Sequence, residues 1–182
     1  MPSPQFEELT KPTKKLFYLL WTAFMIAPII YFYVLYTVSS ERTITNIPDT
    51  NLPITLAVLA IIFAIASFIL PKTMLNQTTS KVKEKYIDAG SVIDSLSPEH
   101  GYDVEKIKSL DINELQKFKL LSAYLVPFLL SIAMCEAIVI FGLVLGFSGY
   151  DIKMFLYFAI PSVILLIIHR PNFEKIFDTK NI

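Results

Sequence analysis

Four stretches of this chain run through apolar residues for about the thickness of a lipid bilayer, with at most one formal charge in each. Residues 16–38 and 52–70 carry no Asp, Glu, Lys or Arg, residues 120–147 carry Glu136 alone, and residues 152–169 carry Lys153 alone. A hydrocarbon core about 30 Å thick requires roughly 20 helical residues to cross it, because a spanning segment must satisfy its own backbone hydrogen bonds. The pattern predicts an all-α polytopic membrane protein with four transmembrane helices. A helical cytoplasmic loop, residues 71–119, joins the second and third spans, and residues 1–182 form a single membrane domain.

Composition agrees with that reading through its segregation. The chain is 54% hydrophobic and 18% charged, with a mean hydropathy of +0.55. The charges concentrate in the first fifteen residues, between 72 and 119, and after 169. Net charge is zero, so there is no basic footprint for nucleic acid. The single cysteine, Cys135, lies in an apolar run and reads as a small packing residue with no intramolecular disulfide partner.

Span ends are read from prolines and turn residues. Pro53 suits a helix start, and Pro71-Lys72 is expected to close the second span. The fourth stretch is short unless it begins in the Gly149-Tyr150-Asp151 turn. Lys11, Lys14 and Lys15 precede the first span as they would a signal peptide. Its 23 residues, however, exceed a signal core of roughly 7 to 15, so it reads as an uncleaved anchor.

Orientation follows from the basic residues. Fourteen of the sixteen lie in the N-terminal segment, the 72–119 loop and the C-terminal tail, leaving Arg42 and Lys153 on the other side. The positive-inside rule then places both termini in the cytoplasm of a bacterial inner membrane. Phe17, Tyr18, Trp21 and Tyr124 are expected at the inner interface, and Tyr36, Phe147 and Tyr150 at the outer one.

Within the loop, Val82, Tyr86, Ala89, Ile93 and Leu96 form an amphipathic helical stripe, broken by residues 97–101. Val104, Ile107 and Leu110 begin a second helical pattern. Asp111 with Glu114 makes a box-like helix start that runs directly into the third span. The loop can be a docking platform for a cytoplasmic partner or two short helices packed on each other or on the membrane surface.

Catalytic motifs are missing. There is no phosphate-cradling glycine loop, paired cysteine set, His-Glu metal helix or glycine-flanked serine, so no enzyme activity, cofactor or metal is expected. His100 and His169 read as polar interface residues. Asn76-Gln77-Thr78 matches a glycosylation acceptor, but on the cytoplasmic side, where that modification is not made.

Glu136 is the one sharp clue. A carboxylate near the centre of a spanning helix costs about 2.5 to 3.5 kcal/mol, and by default such a group marks a functional site. The other spans offer no Lys, Arg or Asp at matching depth. Its expected partners are the hydroxyls of Thr22, Ser67 or Ser162 and the Cys135 thiol. Glu136 then either ties helices together as a hydrogen-bonded group or binds a proton or cation reversibly.

The run Glu136-Ala137-Ile138-Val139-Ile140-Phe141-Gly142-Leu143-Val144 resembles the second helix of the ring-forming c subunit of rotary ATP synthases, over residues 134–146. The resemblance implies that Glu136 would be the ion-carrying carboxylate, and the opposed directions of the second and third spans fit that family's hairpin. The same segment also resembles uncharacterised bacterial four-span membrane proteins, which implies a membrane location.

Gly142 with Gly146, and Ala133 with Ala137, form small-x-x-x-small steps that let helices pack backbone to backbone. Ala60 with Ala64 repeats the spacing. These steps serve either the packing of one bundle or a homo-oligomer seam. Pro28, Pro127 and Pro161 can kink three spans. The expected function is a small non-enzymatic structural or interaction component of a bacterial inner membrane, with the lipid bilayer and a homo-oligomer or membrane-protein partner as its contacts. The alternative is a proton- or cation-translocating subunit that uses Glu136.

Overall fold

The structure, a computed structural model, describes residues 3–40, 51–85, 107 and 109–174. Among these residues it is all-helical, with no strand. The helices are α1 (Pro4–Ser40), α2 (Asn51–Lys85), α3 (Ile112–Phe147) and α4 (Ile152–Ile168). Three segments are long and apolar enough to cross a membrane: Pro4–Val38, Asn51–Gln77 and Ile112–Phe147. α4 is a shorter apolar helix of 17 residues, about 25 Å of rise. Of the expected loop features, Tyr86, Ala89, Ile93, Leu96, the 97–101 break with His100, and Val104 lie outside the described residues.

The start of α1 is fixed by its own Ser3 and by a side chain of α3. Ser3 caps α1, its Oγ accepting from the Phe6 amide at 3.2 Å and its carbonyl from Glu7 at 3.1 Å, with Pro4 in the first helical position where no amide hydrogen is needed. The Glu114 carboxyl accepts from the Ser3 amide at 2.6 Å and from its hydroxyl at 2.8 Å. This corrects the local box expected at Asp111 and Glu114. Glu114 completes the cap of α1 instead, while the Asp111 carboxylate accepts from the Asn113 side chain at 3.2 Å.

Pro71 does not end α2; the helix continues through it to Lys85. A proline in a helix interior removes one amide donor and frees the carbonyl four residues earlier, here that of Ser67. That oxygen accepts from the Ser131 hydroxyl at 3.4 Å and from His169 Nε2 at 3.0 Å. A carbonyl only accepts, so Nε2 carries the hydrogen. The broken backbone bond is replaced from two neighbouring helices, the condition under which proline is tolerated in apolar surroundings.

α3 and α4 are joined by a tight reversal. Gly149 has φ +92°, and Tyr150 N donates to Leu145 O at 3.2 Å while Gly149 N donates to Gly146 O at 3.2 Å, the paired bonds of a Schellman cap. Asp151 then caps α4, accepting from Lys153 N at 2.8 Å. The cap fixes the start of α4 at Ile152, so the turn does not lengthen it.

The described residues divide into two compact units: residues 3–18, 72–85, 107, 109–127 and 171–174, and residues 19–40, 51–71 and 128–170. In the first, Phe17 is fully buried, stacked on Tyr124 at 5.5 Å and edge-on to Phe173 at 5.6 Å. Phe17 is therefore a core residue and not part of a lipid-facing aromatic belt. In the second, Leu35, Val139, Phe155 and Ala159 form one apolar cluster, and Leu56, Ile138, Leu145 and Phe158 form another. Its outer faces remain apolar, with Ile29 68%, Tyr33 67%, Ile54 66% and Ile61 61% exposed. Apolar faces of that continuity are unusual against water and ordinary against lipid.

Candidate functional site

α3 carries Glu136 in the second unit, where the residue is 7% exposed. The Tyr31 hydroxyl of α1 hydrogen-bonds its carboxyl. Oε2 of the same carboxyl is buried and has no partner among the described residues. Tyr31 packs against the cluster of Leu35, Val139, Phe155 and Ala159, so an apolar wall surrounds the polar pair. In such surroundings a hydrogen bond competes with little water, and an orphaned polar atom is expensive.

The partners expected for Glu136 do other work. Ser162 donates to the Cys135 carbonyl at 2.6 Å, and Ser67 donates to the Ala64 carbonyl at 2.7 Å while also meeting the Cys135 thiol. Thr22 lies on an exposed face of α1. Sequence reading passed over Tyr31, although a signal was present. Tyrosine belongs at membrane interfaces, and a phenol near the middle of the 16–38 stretch needs a hydrogen-bond partner.

His169 closes the same unit at the C-cap of α4. Besides its bond to Ser67 O, it sits edge-on to Phe68 with ring centroids 4.6 Å apart, and its Nδ1 is buried without a partner. Trp21 Nε1 donates to Leu166 O at 2.8 Å, anchoring α1 to the last turn of α4.

The glycine step is internal. A Cβ added to Gly142 would lie 2.9 Å from Phe158 Cβ and 3.0 Å from the Phe155 carbonyl oxygen, so α3 and α4 pack backbone to backbone there. One added to Gly146 would run into the Leu35 side chain, at both methyl carbons and Cγ. Ala133 is exposed and Ala137 half-buried. Ala60 and Ala64 pack against the cluster of Leu56, Ile138, Leu145 and Phe158.

Chemically, one carboxyl and one phenol can share a proton. Their three oxygens fall well short of the roughly six to eight that a hard cation such as calcium collects. Among the described residues no group of three His, Cys, Asp or Glu side chains could hold a metal ion. Comparison with protein-family models, curated proteins and solved structures finds no match for this chain.

Proposed function

We propose that this chain is a non-enzymatic four-span protein of a bacterial cytoplasmic membrane, with both termini inside, acting as a structural or interaction component. The Tyr31–Glu136 bond carries the reading: the costliest polar group in the apolar segments is committed to a neighbouring helix of the same chain. The bonds from Trp21 to Leu166 O, from Ser162 to Cys135 O, and from Ser131 and His169 to Ser67 O follow the same logic. Each ties two helices together, as expected where polar side chains serve as glue between spans.

One observation favours a second reading, a proton- or cation-translocating subunit. Glu136 Oε2 is buried without a partner among the described residues, so half of the carboxyl is unspent. The resemblance to the rotary ring subunit supports the same role. Against it stand a second span without glycine and a connection of about 48 residues where that family has a short polar turn.

A hydrophobic carbodiimide separates the two in native membranes. An unreactive Glu136 is expected of the structural role. Saturable labelling suppressed by one cation would establish ion binding in its place.

Topology has its own test. Thr45→Cys and Ser148→Cys are expected to react with impermeant thiol reagents from outside intact cells, and Gly90→Cys only after permeabilisation. Native Cys135 is buried and should contribute little background. Labelling of Gly90→Cys from outside would overturn the arrangement.

A further inference from the structure

The first unit contains a cleft of about 700 Å³, within the size range of small-molecule sites. Its lining comes from the first turns of α1, the start of α3 and Glu174, and it carries both signs of charge: Lys14 and Lys117, against Asp111 and Glu174. Glu114 also lines it, but both of its oxygens are taken by Ser3. Lys117 is half-buried. A partly desolvated ammonium on a cleft wall is a ready donor for an anion.

The sequence sets the depth. Lys14 stands two residues before the apolar stretch 16–38, and Lys117 three residues before the stretch 120–147. Both fall within a turn of the hydrocarbon boundary, the level of lipid phosphates. From this placement and lining, we propose that the cleft binds the phosphoethanolamine headgroup of a membrane lipid, its phosphate on Lys117 and Lys14 and its ammonium on Asp111 and Glu174.

The lining also sets the selectivity. A primary ammonium donates hydrogen bonds to carboxylates, whereas choline has no N–H and is recognised by aromatic faces. Among the described lining residues the one aromatic, Phe6, is buried. A phosphoglycerol headgroup brings the anion but no cation and would leave Asp111 and Glu174 facing a negative charge. Ethanolamine lipid is therefore preferred over both.

The inference rests on α1 and α3 spanning a bilayer, which alkaline carbonate extraction of membranes carrying the full chain reports by itself. The full chain, purified in detergent, is mixed with phosphatidylethanolamine, phosphatidylcholine and phosphatidylglycerol of identical acyl chains. Bound lipid is counted by native mass spectrometry, and soluble phosphoethanolamine is titrated separately.

The expected result is a preference of about tenfold for the ethanolamine lipid. Lys117→Ala should lower its occupancy by a similar factor, the effect of one lost charge-assisted hydrogen bond. Glu174→Gln should erode the discrimination against choline, and Lys153→Ala should change nothing. Should Lys117→Ala fail to fold, Lys117→Gln and Glu174→Gln carry the same comparison. Equal retention of the three lipids, or an equal effect of Lys153→Ala, overturns the proposal. So does binding of soluble phosphoethanolamine without any lipid preference, which would make the ligand a free metabolite. Carbonate-extractable protein would instead overturn the membrane reading.

Discussion

Gly142→Ala is expected to lower the stability of the chain in detergent by about 1 to 3 kcal/mol, the usual cost of overpacking a filled site. An exposed helical glycine would respond in the opposite sense, since alanine is favoured over glycine in a helix by about 1 kcal/mol. The sign therefore decides whether the close approach is real. The added Cβ would stand 2.9 Å from Phe158 Cβ and 3.0 Å from the Phe155 carbonyl oxygen, and neither can move without moving α4. Gly142→Leu should be worse still, separating the helices or abolishing folding. Gly146→Ala meets the methyl carbons and Cγ of Leu35, a side chain and not backbone, and should be milder. Leu143→Ala, at a half-buried position, is the comparison for simple loss of apolar area. Thermal melts of the four variants in one detergent make the measurement. A Gly142→Ala protein as stable as the parent would show that the two helices do not meet there.

The apolar helices were legible because their signal is length without charge, which needs no knowledge of the fold. The α3–α4 reversal was legible in part, since glycine and an aspartate stand at the positions where a left-handed residue and an N-cap are required. What could not be read depends on contacts between segments far apart in sequence. Pro71 looks like a stop from its own helix, and only the hydroxyl of Ser131 and the ring of His169 allow α2 to pass through it. Glu114 looks like half of a local capping box, yet its oxygens satisfy Ser3, 111 residues away. Glu136 stands out in the sequence, because a lone carboxyl in an apolar run is visible from composition. Its partner Tyr31 is less legible, because a tyrosine in an apolar stretch reads equally well as a membrane-interface residue.

That pair supports the sharpest separation of roles. Tyr31→Phe removes the one hydrogen-bond partner that the Glu136 carboxyl has among the described residues and leaves the acid buried, which should cost about 1 to 3 kcal/mol. Glu136→Leu leaves the Tyr31 hydroxyl facing an apolar wall and should cost on the order of 1 kcal/mol. The combined Tyr31→Phe/Glu136→Leu variant has no polar group left to satisfy, so it should be more stable than Tyr31→Phe alone and close to the parent. Simple addition of the two losses would show that the residues do not interact. Glu136→Gln keeps the shape of the neutral acid and an oxygen that can accept from Tyr31, so it should fold and express normally. If Glu136 serves only as glue, Gln is silent in every assay. If it carries a proton, Gln abolishes ion-dependent flux in reconstituted vesicles with stability unchanged, because an amide cannot release one. Unfolding by Gln would exclude both roles and point to an ionised carboxylate held by a cation from another subunit, since removing the charge from such a pair leaves its partner buried and uncompensated.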